Sequence, residues 1–84
     1  MTNDQIEKFM LTKYLDKSPV QINFKTRPSI KGLFIKTADY AELKSKNLWR
    51  IVNQTSIEEY KKSGDTNLAR IFNGVEITRL EVGS

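Results

Sequence analysis

The side chains best suited to chemistry are one tyrosine, one tryptophan–arginine pair and a spread of lysines. Tyr40 heads the stretch Tyr40-Ala41-Glu42-Leu43-Lys44, directly behind Thr37-Ala38-Asp39. Its ring suits stacking on a flat ligand, and equally a half-buried core position with the hydroxyl in water. Trp49 beside Arg50 fits a stacking or cation–π pair, and fits better a place in the core or in a subunit interface. Lys31, Lys36, Lys44 and Lys46 form the densest basic stretch. They would line a phosphate path or serve as scattered surface charge. Glu58-Glu59 next to Lys61-Lys62 reads as a solvated helix face paired with itself.

What is missing excludes much chemistry. The 84 residues include no cysteine and no histidine. Thiolate and imidazole metal ligands, and the usual nucleophile–base pairs, are therefore ruled out. No carboxylate pair or lysine constellation stands at catalytic spacing, so the expectation is a protein that is not an enzyme and holds no metal or cofactor. Lys and Arg number 14 against 10 acidic residues, a formal net charge of +4. This mild basic excess permits nucleic-acid binding and equally serves solubility. Oligomerisation would multiply it into a stronger field.

The expected setting is the cytoplasm. Absence of cysteine suits a reducing compartment. Met1-Thr2-Asn3-Asp4 is polar and partly acidic, unlike a secretory signal. No apolar run approaches the roughly 20 residues of a membrane span.

The elements that must position these residues are legible in outline as one domain, residues 1–84, with an N-terminal helix over 1–17 and a β-barrel over 19–82. Thr2 or Asn3 caps the helix, and Ile6, Phe9, Met10, Lys13 and Tyr14 form its amphipathic stripe. The helix is expected to end between Leu15 and Lys17. Val20, Ile22 and Phe24 alternate with polar residues in a first strand. Thr26-Arg27-Pro28-Ser29 turns the chain, and Ile30 to Lys36 is a second strand. Gly32 inside it marks a bend or close backbone approach, and the doubled apolar run Leu33-Phe34-Ile35 predicts burial on both faces. Tyr40–Lys44 is expected to resume extended structure. Ser45-Lys46-Asn47 breaks it, and Leu48–Val52 is plainly β-like. A short helix over Ser56–Lys62, capped by Thr55 or Ser56 and stopped by Gly64, would be anchored by Ile57 and Tyr60. Leu68–Phe72 and Val75–Val82 are the last two strands. They are expected to meet at a tight turn on Asn73-Gly74, where both residues tolerate φ > 0.

A helix, then five short strands with a glycine-bearing second strand and an Asn-Gly-linked final pair, resembles the Sm-like fold of the Sm, Lsm and Hfq-type proteins. Val20 to Leu43 and Ile71 to Val82 carry the resemblance. Val20, Ile22 and Phe24 match the alternating start of the first motif, with Ile30 and Gly32 at its spacing. Thr37-Ala38-Asp39-Tyr40-Ala41-Glu42-Leu43 is similar to its Phe-Asp-x-Tyr-Met-Asn-Leu. Ile71-Phe72-Asn73-Gly74-Val75-Glu76-Ile77-Thr78-Arg79-Leu80 is similar to the second motif, apolar-x-Arg-Gly-x-x-Ile-x-x-Ile/Leu, except at the Arg. SH3-like and OB-fold barrels are the alternative architectures.

The resemblance implies a five-stranded, strongly bent antiparallel barrel with a short helix inserted between the third and fourth strands. It implies a homo-oligomeric ring, closed by pairing the fourth strand of one subunit with the fifth of the next. It also implies single-stranded RNA as partner. Tyr40 would stack on a base, Glu42 stands where an Asn would read the base edge, and Asn73-Gly74 replaces Arg-Gly. Lys31 and Lys36 would meet phosphates. A carboxylate at Glu42 only accepts hydrogen bonds, and Asn73 removes a cation. Ala38 stands where the family has Asp. The implied binding has low sequence preference, and the runner-up is a barrel that has lost RNA binding and acts as an oligomeric scaffold or protein-interaction module.

Overall fold

The first helix starts where the sequence supplies a reciprocal cap. In the computed structural model, which describes residues 1–11 and 14–82, the Thr2 side chain accepts from the Gln5 backbone while the Gln5 side chain accepts from Thr2 N–H. Two of the helix's four orphan donors are thus satisfied locally. Helix α1 (Asn3–Met10) buries Ile6 and Met10. It is shorter than its expected end at Leu15–Lys17, and residues 14–17 form turns. Lys13, placed on the stripe by its spacing, lies outside the described residues. Asp16 takes a left-handed backbone, φ 60°. From there its N–H donates to Phe34 O at 2.7 Å, fastening the helix exit to the sheet.

Five antiparallel strands follow: β1 (Val20–Phe24), β2 (Ile30–Phe34), β3 (Leu48–Asn53), β4 (Ala69–Asn73) and β5 (Ile77–Val82). Their order across the sheet is β4-β3-β2-β1-β5. β1 binds β5 through Val20↔Val82 to Asn23↔Arg79, with an irregularity before Phe24↔Ile77. β4 and β5 are the two edges and do not pair with each other, so the sheet is open and does not close into the barrel expected over 19–82.

Two expectations fail here for identifiable reasons. Asn73-Gly74 makes no hairpin, because each flanking strand finds its partner elsewhere in the sheet. Neither residue uses a positive φ. A single 3-10 turn, Gly74–Glu76, joins the strands, and Asn73 caps it by accepting from Val75 N at 3.0 Å. The second correction is Tyr40–Lys44, which is not extended. Helix α2 (Tyr40–Ser45) occupies it. Ala, Glu, Leu and Lys are strong helix formers, and over so few residues their alternation satisfies either period. Asn47, at φ 58°, ends the helix in the left-handed region, where Asn is tolerated.

Helix α3 (Gln54–Ser63) lies between β3 and β4. It starts two residues before its expected start at Ser56, because Asn53 rather than Thr55 or Ser56 caps it. Gly64 ends it at φ 68°, as its position predicts.

Apolar residues collect on both sides of the sheet. One cluster holds Ile6, Met10, Val20, Ile22, Phe34, Trp49, Ile51, Ile77 and Leu80 under α1. The other holds Leu33, Ile35 and Val52, against which Ile57 and Tyr60 of α3 pack. The Leu33-Phe34-Ile35 run is thus buried on both faces. Gly32 allows the close approach that its place in a strand suggests: a Cβ there would stand 2.6 Å from Ile51 Cγ2.

Candidate nucleic-acid interface

α2 is short, yet it is pinned in three places. Asp39 precedes it and receives Arg50 Nη2 at 2.8 Å and Nε at 3.4 Å, together with the Thr37 hydroxyl. Its carboxylate is spent on these partners and makes no cap bond to the helix. The hydrogen bond from Arg50, and then that from Thr37, hold the Asp39 carboxyl down to about 2. From α1, Glu7 pairs with Lys44 at 2.7 Å, and Asn3 Nδ2 donates to Lys44 O at 3.1 Å.

This frame sets Tyr40. The ring is half-buried and meets Trp49 edge-on, with centroids 6.0 Å apart. Its hydroxyl donates to Glu7 Oε2 at 3.4 Å. Burial, followed by the Glu7 charge, pushes the phenol up to about 12, so it stays a neutral donor at physiological pH. Lys36 Nζ lies 5.7 Å from the ring centroid. Trp49 is buried in the core and donates its indole N–H to Asn47 Oδ1 at 2.8 Å. Arg50 turns to Asp39 instead of stacking on its neighbour.

The other expected site residues separate into groups. Glu42 is exposed on α2 and faces Lys46 at 3.7 Å. Lys44, Lys46 and Arg50 each have a carboxylate partner, whereas Lys36 has none among the described residues. Lys31 sits on β2 in a separate depression with Gln21, Ser29, Asn53 and Thr55. Asn73 is exposed at the end of β4, while Gly74 is buried.

Asn47 is the residue that the sequence reading missed. Gly74 N donates to its carbonyl at 2.8 Å. Its side-chain Nδ2 donates to Met1 O at 2.9 Å, and its Oδ1 accepts from Trp49. Asn47 therefore ties the segment before β3 to the turn before β5, and both polar atoms of its amide are already partnered. No local signal marked it, since Asn47 closes the run Ser45-Lys46-Asn47, which reads in isolation as a polar break.

Among the described residues, no cluster of Asp, Glu, His or Cys is placed to hold a metal ion, and no helix is long and apolar enough to cross a membrane. Compared with protein-family models, curated proteins and solved structures, the chain has no match.

Proposed function

We propose that this chain is an Sm-like subunit that assembles into a homo-oligomeric ring and binds single-stranded RNA with low sequence preference, in a cytoplasmic setting. The strand order carries the reading. With β4 and β5 at opposite edges of one sheet, the fourth strand of one copy is free to pair with the fifth strand of the next. Ile71 on β4 is 49% exposed and Val82 on β5 is 63% exposed. Unpaired edges bearing apolar residues are a liability unless covered, and a head-to-tail contact that closes into a ring covers every one of them.

RNA enters through Tyr40 and Lys36. An aromatic ring with a cation beside it suits a base and its phosphate. Because the Asn47 amide is already partnered and Glu42 faces Lys46, neither is available to read a base edge. That favours stacking without sequence choice. The same commitments, with three nearby cations paired to carboxylates, favour a second reading as an oligomeric scaffold without RNA.

Fluorescence anisotropy of short U-rich and A-rich RNAs at two salt concentrations separates the two. The RNA reading expects saturable binding that weakens with salt. Loss of one stacked base, worth roughly 1–3 kcal/mol, should weaken it about fivefold or more in Tyr40→Ala, provided that variant melts as a folded protein. Lys36→Gln, at an exposed position, gives a second and milder loss. No binding on the order of tens of micromolar at low salt leaves the scaffold.

A further inference from the structure

Helix α3 is fastened to the sheet by few contacts. None of its residues is buried, and only Ser56, Ile57 and Tyr60 are half-buried. Among the described residues it forms no ion pair. Most of its side-chain hydrogen bonds stay at its own two ends: Thr55 donates to Asn53, and the Ser63 hydroxyl donates to Glu59 O. One reaches the body of the protein. The Tyr60 hydroxyl donates to Asp16 Oδ1 at 3.4 Å. Asp16 Oδ2 accepts from Lys36 N–H at 3.3 Å, so this one carboxylate joins α3, the exit of α1 and the chain just past β2.

What lies under α3 is separable from the rest of the core. Ile57 and Tyr60 pack on Leu33, Ile35 and Val52, a cluster distinct from the larger one beneath α1. Successive side chains of a strand point to opposite faces. Ile51 accordingly belongs to the larger cluster and its neighbour Val52 to the smaller. Lifting α3 would uncover the smaller cluster and leave the larger one closed. Both ends permit that movement. Asn53 is the last residue of β3, and Gly64 takes φ 68° with nothing within 4 Å of where a Cβ would stand. A helix of so few residues is marginal alone in water, so lifting and unwinding go together. Regions with few buried apolar contacts open at lower free energy than the core.

We propose that α3 is a strap that opens as a unit over Leu33, Ile35 and Val52, latched by the Tyr60–Asp16 hydrogen bond, while α1 and the five-stranded sheet stay folded. Closed, it hides an apolar patch on the sheet face opposite α1. Open, it presents that patch. The device uses neither the ring edges nor the Tyr40 region, so it stands apart from the RNA reading.

The test is amide hydrogen exchange of the full chain at several low urea concentrations. The α3 amides at Glu59, Tyr60 and Lys61 should be at least about tenfold less protected than those of β3, because their opening is local. Their exchange should also depend weakly on urea, since little surface is exposed. Tyr60→Phe keeps the ring and removes the latch. It should speed α3 exchange about threefold or more, the loss of one hydrogen bond, and leave β1 and β3 unchanged. A second readout uses the absence of native cysteine. Val52→Cys lies under the strap, and Ile51→Cys lies in the larger cluster. Corrected for each variant's own urea stability, thiol labelling should be at least about tenfold faster at position 52. The strap is overturned by α3 amides that share the opening free energy and urea slope of β3, or by equal corrected labelling at the two positions. Exchange in α3 that ignores Tyr60→Phe, or that rises equally across the whole sheet, overturns the latch.

Discussion

At Gly74 the requirement is space. A Cβ there would come within 2.1 Å of Asn47 Oδ1 and 2.7 Å of Ile6 Cδ1. The clash would push Asn47 off its bonds to Met1 and Trp49. Gly74→Ala should therefore cost about 1–3 kcal/mol, the usual penalty of overpacking, read as a lower urea midpoint with an unchanged slope. An unshifted midpoint would mean that Asn47 does not pack on Gly74. The residue pair was legible as a point where the chain changes direction, but for the wrong reason. The dipeptide advertises left-handed backbone freedom; the fold uses the missing side chain. The Asn47 contact could not be read at all, because it joins segments far apart in sequence.

Among the elements, α2 is the one held mainly by charge. None of its residues is buried, so its position rests on Asp39–Arg50, Glu7–Lys44 and the half-buried Tyr40 ring. Asp39 has a folded pKa of about 2 against an ordinary 3.8. The sign follows from that order: the pair stabilises the fold above about pH 4, and the benefit is lost as pH falls towards 2. Thermal melts should drop over that window, and Asp39→Asn should flatten the drop while lowering the melting temperature at neutral pH. A variant with the parent's full acid profile would assign the drop to other carboxylates. β1 was readable by its alternation, and β3 by its run of β-branched and aromatic residues. α2 was not, because six residues give periodicity too little length to separate helix from strand. Its nearest tertiary anchors, Glu7 and Arg50, stand outside the segment itself.

Over the whole molecule, the proposed ring rests on the two exposed edges. Ile71→Lys adds charge to an exposed position on β4, a substitution that folded monomers tolerate within about 0.5 kcal/mol. In the proposed ring it should convert the assembly to monomer in light scattering and lower the melting temperature by whatever stability assembly supplies. A wild-type chain already monomeric at high concentration would remove the ring. Four strands were legible in the sequence to within about two residues, the usual uncertainty of element ends; the third begins at Leu48, after the segment Tyr40–Lys44 that was expected to be extended and is helical. The sequence did not name the neighbours of each strand, since edge and centre differ by pairing and not by composition.

One pairing has a consequence for the order of folding. Gln21 meets Glu81 across sixty residues. β2, β3 and β4 assemble as successive neighbours, but β1 gains its second partner only from the last strand. Closing so long a loop costs entropy before any contact repays it. Ile77 and Leu80, two members of the larger cluster, arrive with that strand. A nascent chain stopped at Asn73 would hold three helices and four strands around a core still missing part of one wall, so the cooperative step waits for the final residues of the sheet to be made.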